Sequence, residues 1–202
     1  IGNDAFLDCT GLTYVHLGKN VNTIGERSFK NCTNITTLVV PDALTNINTD
    51  YNWNFAATFF NTSIKKVILP ATVTSLHSDI RDFSSLSIFE SENTTTIGYY
   101  TVNGILFYYD EYTDDTTLVR CPVKKTIREY TIPENVTILG NSAFQNNTSL
   151  TKVSLNDGLI TIRAGAFQGC TGLSTLSIPD TVTSIGNDAF LDCTGLTYVH
   201  LG

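Results

Sequence analysis

Residues Ile1–Gly18, IGNDAFLDCTGLTYVHLG, return letter for letter as Ile185–Gly202, 184 positions later. Self-similarity at a fixed period constrains a chain more than composition does, because each unit of a repeat has to bury its apolar face against its neighbours. A shorter period lies inside the long one. Ile1, Phe6, Cys9, Leu12, Val15, Leu17 and Val21 recur 23 residues later as Ile24, Phe29, Cys32, Ile35, Leu38, Val40 and Leu44. The same frame begins again at Leu139 and at Ile162, bringing Phe144 and Phe167, and a fifth time at Ile185.

Each copy carries two spacings. In TYVHL, TTLVV and STLSI the apolar residues alternate, as in a strand with one buried face. In IGxxAFxxCT they fall nearer the helical period, which predicts one helical or 3₁₀ turn. Gly2, Gly25, Gly140 and Gly186 suit a bend at positive φ, and Pro41, Pro70, Pro133 and Pro179 stop the strands by removing an N–H. One copy cannot make a core alone; stacked copies can. The expected fold is a repeat solenoid of the α/β leucine-rich type. Its right-handed coils of about 23 residues carry a parallel β-sheet on one side and short helical or 3₁₀ turns on the other. Strand centres are expected at Val15, Leu38, Val67, Leu86, Tyr130, Val153, Leu176 and Val199.

IPENVTILGNSAF, IPDTVTSIGNDAF and the continuation C-T-x-L-x-x-[VL] resemble the BspA-like class of leucine-rich repeats, found in surface proteins of bacteria and protists. Residues 102–133, VNGILFYYDEYTDDTTLVRCPVKKTIREYTIP, are similar to a β-hairpin insertion of that family, with N-G-x-L-[FY] and T-L-[VI]-R-x-P as its two strands. The resemblance implies a single solenoid over 1–202, with insertions near 48–63 and 91–128. It also implies a non-enzymatic extracellular or cell-surface protein acting in adhesion or in recognition of a surface or matrix protein or a glycan.

The long repeat closes in register, since Ser184 placed before Ile1 would read TVTSIGNDAF, as residues 181–190 already do. Either the parent is a tandem array of 184-residue super-repeats, or one coil was copied recently. The array reading implies a structural unit of an extracellular filament, its partners being other copies of itself stacked end to end. No polar cap is evident at Ile1 or Gly202 and the chain contains no Met, so a signal and an anchor are expected outside this segment. A formal charge of −7 and a pI near 4.8 oppose nucleic-acid binding, and without a run of eighteen apolar residues no membrane insertion by this segment is expected.

Chemistry-bearing residues are few. Cys9, Cys32, Cys170 and Cys193 share one repeat position, which Asn147 takes in another coil, and Cys121 stands alone in the insertion. A buried ladder of small side chains is expected there, with bridging of neighbours left open. Sequons occur at Asn31, Asn34, Asn61, Asn93, Asn135, Asn146 and Asn147. Glycans are expected on several of the first six if the source is eukaryotic and on none if bacterial. Asn147, replacing a buried Cys, is expected to be unmodified. The acidic tip Asp110, Glu111, Asp114 and Asp115 lacks a calcium-loop spacing and reads as a solvated turn. His16, His77 and His200 have no nucleophile at a motif spacing, so neither catalytic residues nor a metal or cofactor site is expected. The remaining surface is the outer face of the sheet. There Tyr14, His16, Val39, Lys66 and Ile68 form a candidate contact patch, against plain polar sheet surface at Ser85, Ser87, Lys152, Ser154, Thr175 and Ser177. Trp53, Phe59 and Phe60 are expected to be packed.

Overall fold

The protein is described from a computed structural model covering residues 1–41, 58–73, 76, 83–95 and 97–202. Trp53, His77 and most of the insertion expected at 48–63 lie outside the described residues. The chain divides into two compact units, Ile1–Thr101 and Val102–Gly202.

In the first unit, β1 (Tyr14–His16), β2 (Thr37–Val39), β3 (Lys66–Leu69) and β4 (Ile88–Ser91) form a four-stranded parallel sheet in chain order. Alternation sends Val15, Leu38, Val67 and Phe89 inward, where all four are buried. Behind them Phe6, Phe29 and Phe59 stack coil on coil, ring centroids 5.0 and 5.1 Å apart and ring planes nearly parallel. Phe60 is 57% exposed rather than packed, with the Lys30 ammonium 5.6 Å from its ring centre. β5 (Gly98–Val102) crosses the boundary between the units.

The second unit opens with β6 (Ile105–Asp110) and β7 (Asp115–Arg120), the antiparallel hairpin anticipated by N-G-x-L-[FY] and T-L-[VI]-R-x-P. Three regular coils follow, alternating β8 (Glu129–Thr131), β9 (Ile138–Leu139), β10 (Lys152–Ser154), β11 (Thr161–Ile162), β12 (Thr175–Ile178), β13 (Ser184–Ile185) and β14 (Tyr198–Leu201). The long-strand set pairs in parallel as β8, β10, β12, β14. The two-residue strands β9, β11 and β13 form a second parallel ladder, which β7 extends through Thr117↔Ile138 and Leu118↔Leu139. The expectation of one sheet per coil missed this ladder. A Phe stack runs here too: Phe144, Phe167 and Phe190 lie 5.2 and 5.4 Å apart.

Three expectations need correction. The connection after Ile-Gly is a run of hydrogen-bonded turns, not a helical or 3₁₀ turn. Its backbone donors point along the stack: Asp4 N–H, Phe6 N–H and Asp8 N–H reach Glu26, Ser28 and Lys30 carbonyls at 3.0, 2.7 and 2.9 Å. Residues four apart at positive φ, Asp4 and Asp8 at 57° and 60° and Asn146 at 61°, tip the chain so that this is possible. Asp and Asn tolerate that region better than most residues, and their spacing of four gave the apparent helical period.

The second correction concerns glycine. Gly2, Gly25, Gly140 and Gly186 are not among the positive-φ residues. Glycine is required at two of them by proximity: a Cβ on Gly25 would fall 2.5 Å from Asn3 N, and one on Gly186 2.5 Å from Ala164 N. The third is the fourth strand, whose buried centre is Phe89 and not Leu86, so Ile88 and Glu90 face outward in place of Ser85 and Ser87.

Candidate functional site

The outer face of the first sheet is built by register. Tyr14, Thr37, Lys66 and Ile88 form one row across the strands, and His16, Val39, Ile68 and Glu90 the next. Tyr14 is 53% exposed and its ring meets His16 edge-on, centroids 6.4 Å apart. Val39, Ile68 and Ile88 are half-buried, and Lys66 Nζ lies 2.7 Å from Glu90 Oε1 across the rows. All five residues of the candidate patch are therefore brought onto one face. Ile88 and Glu90 belong to it as well, and only the shortened fourth coil hid them from sequence reasoning. Beside Tyr14 and His16 opens an apolar groove of about 260 Å³, lined in part by Phe6, Val15, Leu17 and Val21.

The corresponding face of the second unit is chemically different. Its rows read Glu129, Lys152, Thr175, Tyr198 and Thr131, Ser154, Ser177, His200, so apart from Tyr198 and His200 on β14 it presents hydroxyls and one residue of each charge. Tyr198 is 60% exposed.

All five cysteines are free. They nevertheless have a structural task, because each buried thiol of the ladder donates to the carbonyl of the Phe in the preceding coil. Cys32 Sγ reaches Phe6 O at 3.0 Å, Cys170 Sγ reaches Phe144 O at 3.1 Å and Cys193 Sγ reaches Phe167 O at 3.0 Å. Asn147 does the same with its amide, Nδ2 to Cys121 O at 3.4 Å. Cys121 is thus not isolated. It sits in the frame as a Phe-position residue, its N–H donating to Ala143 O as the Phe144 N–H does to Ala166 O. Burial pushes the Cys121 and Cys170 thiols up to about 12, and raises Cys32 and Cys193 as well.

The sequon asparagines fall on turns and loops. Asp8, Asn31 and Asn61 form a side-chain ladder, Asn31 Nδ2 donating to Asp8 Oδ1 at 2.7 Å and Asn61 Nδ2 to Asn31 Oδ1 at 3.1 Å. Asn34 Nδ2 reaches Thr10 O at 2.8 Å, Asn93 Nδ2 reaches Ile97 O at 2.8 Å, and Asn135 Nδ2 lies 3.5 Å from Thr116 Oγ1. Asn146 is exposed and Asn147 is buried.

At the hairpin tip the carboxylates fix the turn: Tyr109 O–H donates to Asp114 Oδ1 at 2.9 Å, and the Tyr112 N–H donates to Asp110 Oδ1 at 2.9 Å. That contact with Asp114 raises the Tyr109 phenol above its ordinary range. Among the described residues there is no group of three or more His, Cys, Asp or Glu placed to hold a metal, and no helix long and apolar enough to cross a membrane.

Residues 1–105 and 122–202 match the family described as BspA type leucine rich repeat region, in six copies. Solved structures share the fold. A leucine-rich repeat protein from Eubacterium ventriosum is similar over 99% of this chain and 57% of its own, at 23% identity and a TM-score of 0.69. A leucine rich cell surface protein from Faecalibacterium prausnitzii matches over 100% and 63%, at 21% identity and a TM-score of 0.59. The pneumococcal vaccine antigen PcpA matches over 95% and 51%, at 21% identity and a TM-score of 0.62. The chain therefore spans between about half and two thirds of the solved relatives it resembles. No curated protein sequence matches it.

Proposed function

The chain belongs to the BspA-type leucine-rich repeat family, and from that premise we propose that it is a non-enzymatic recognition module at a cell surface or outside the cell, using the outer face of its first sheet. The observation that carries this reading is the difference between the two faces: Val39, Ile68 and Ile88 beside Tyr14 and the Lys66–Glu90 pair in one unit, and in the other, apart from Tyr198 and His200 on β14, rows of hydroxyls with Glu129 and Lys152. Half-buried aliphatic side chains beside an exposed aromatic ring, rimmed by charge, are what a protein or glycan partner contacts with most gain. The surface location is supported by the family and by the cell-surface description of the Faecalibacterium relative. The exposed sequons Asn34, Asn61, Asn135 and Asn146 would carry glycans if the source is eukaryotic.

The test is binding of the purified chain to arrayed matrix proteins and glycans by interferometry. Ile68→Asp is expected to weaken any hit by at least about tenfold, whereas Ser177→Asp on the other face leaves it intact. Equal losses in both variants, or no hit, count against the reading.

A second reading, a structural unit of an extracellular filament built by end-to-end contact, is favoured by one observation, the identity of residues 1–18 and 185–202. Electron microscopy of the chain at high concentration tests it: regular fibres support it, and isolated particles at every concentration oppose it.

A further inference from the structure

Asn103–Gly104 is the single Asn–Gly step in the chain, and Asp157–Gly158 the single Asp–Gly step. Asn103 lies outside every sequon. With Gly104 it forms the two-residue loop between β5 and β6, the pair standing at φ 51° and 75°. Positive φ at both central residues is the requirement of a type I′ hairpin turn, which Asn-Gly meets at little cost. The same pair is chemically the most open to attack on an amide side chain by the next main-chain nitrogen, because glycine puts no side chain in the way.

The surroundings leave this pair untied. Asn103 is exposed, and among the described residues neither its carboxamide nor the Gly104 N–H makes a hydrogen bond. The Asp–Gly step differs: Gly158 N–H donates to Asn156 Oδ1 at 3.0 Å, which holds its proton and fixes its nitrogen in place. Gly104 is buried, so a base reaches its N–H when the turn opens. Such opening is local. β5 is the last strand of its six-stranded sheet, with β6 as its neighbour, and it is half-buried as far as Val102, which is 46% exposed.

We propose that Asn103 is a site of spontaneous deamidation, reached when the turn opens, and that its isoaspartyl product unpins β5 from β6. In the open turn the Gly104 nitrogen loses its proton to solvent base and attacks Asn103 Cγ. A new N–C bond forms, the carboxamide C–N bond breaks, and ammonia leaves with a proton taken back from solvent. Water then opens the cyclic imide, with no change of oxidation state. Cleavage at Cγ leaves an ordinary aspartyl residue at this position, and Asp-Gly suits the same turn. Cleavage at the main-chain carbonyl leaves the chain running through Cβ and Cγ. That adds an atom to a loop just long enough to join the strands, so their register is lost at the turn. β6 stays in place, because Ile105, Leu106 and Phe107 are buried and β7 pairs along its other edge. At its far end β5 keeps its hold through Tyr99 O, which accepts from Ser91 Oγ and Asn93 Nδ2 at 3.4 and 3.0 Å. The loss therefore falls on Thr101 and Val102.

Peptide mapping of the full chain tests this after ageing at mildly alkaline pH, in buffer and in urea, with fragmentation that separates isoaspartyl from aspartyl products. Conversion at Asn103 is expected in both, slower in buffer by the factor that turn opening sets, while Asn156 and the Asp157–Gly158 step stay unchanged in buffer. Hydrogen exchange at Thr101 and Val102 is expected to be at least about tenfold faster in the isoaspartyl fraction. Asn103→Gly keeps a pair suited to the turn and has no carboxamide, so it should age with exchange unchanged. No conversion at Asn103 in buffer, or conversion no faster than at other asparagines, overturns the site. Equal rates in buffer and urea overturn the opening step. An isoaspartyl fraction that exchanges like the unaged chain, or an equal loss of protection in aged Asn103→Gly, overturns the unpinning.

Discussion

Residues 1–18 and 185–202 are the same eighteen residues in two settings, and their burial differs sharply. Val15 is 8% exposed and Val199 43%; Leu17 is 5% exposed and Leu201 66%. The glycines differ in the opposite sense. A Cβ on Gly11 or Gly2 would meet nothing within 4 Å, whereas one on Gly195 would fall 2.3 Å from Thr171 O and one on Gly186 2.5 Å from Ala164 N. Each copy is covered on one side, and the sides are opposite. Residues 1–18 have the second coil over the strand and leave their glycines open, while residues 185–202 press their glycines against the preceding coil and leave the strand bare. Burial in a stacked architecture therefore belongs to the neighbour and not to the residue, and a substitution is to be judged by which side of the coil it faces.

The largest effect should come where both sides are covered. Phe167, fully buried between Phe144 and Phe190, is expected to lose about 3–5 kcal/mol on replacement by Ala. Phe6→Ala, at a ring 40% exposed and stacked on one side, should cost about 1 kcal/mol; urea midpoints decide. Comparable losses would show that the coils do not share burial as described. Next comes the strand pair, where Leu17→Ala is expected to cost about 2–3 kcal/mol and Leu201→Ala under about 0.5. The glycine pair should reverse the order of the two copies. Gly195→Ala forces a backbone shift costing about 1–3 kcal/mol, while Gly11→Ala changes thermal stability by less than about 0.5.

The smallest effect concerns acid. The Arg27 guanidinium hydrogen-bonded to Asp4 holds its carboxyl below the ordinary carboxylate range. A depressed native value contributes stability that is complete above the unfolded pKa and disappears as pH falls through the native one. Asp4→Asn is therefore expected to lower the melting temperature slightly at neutral pH and to leave it unchanged at the acid end, so that the acid limb of the melting profile flattens. A steeper acid limb in the variant would sink the assignment.

Much of this architecture is legible in the sequence because the strand signal is local. Val15, Val153 and Leu176 alternate with polar or aromatic neighbours, Leu38 and Val67 are aligned with them by the repeat, and each is the inward residue of its strand. The turn signal was misleading for a physical reason. A residue at positive φ every fourth position produces the same apolar spacing as a helix, and only the direction of the N–H groups, toward the next coil, separates the two. The fourth strand slipped to Phe89 because a shortened coil leaves Leu86 and Phe89 equally apolar, and which one pairs with Val67 is decided across the sheet. Of the candidate patch, Tyr14, His16, Val39, Lys66 and Ile68 could be aligned by counting repeats, but Ile88 and Glu90 required that register. The Asp4–Arg27 contact spans 23 residues and has no local mark at all.

The cysteine ladder has a bearing on where such a chain can survive. A thiol pushed up to about 12 has on the order of one part in 10⁵ as thiolate at neutral pH, and the thiolate is the form that attacks disulfides and oxidants. Cys121 and Cys170 are in addition sealed from solvent. Burial and a small thiolate fraction together slow the attack of oxidants and disulfides on these two sulfurs relative to accessible thiols. The fold can keep cysteine as a compact hydrogen-bond donor, a use that oxidising environments ordinarily deny to that residue.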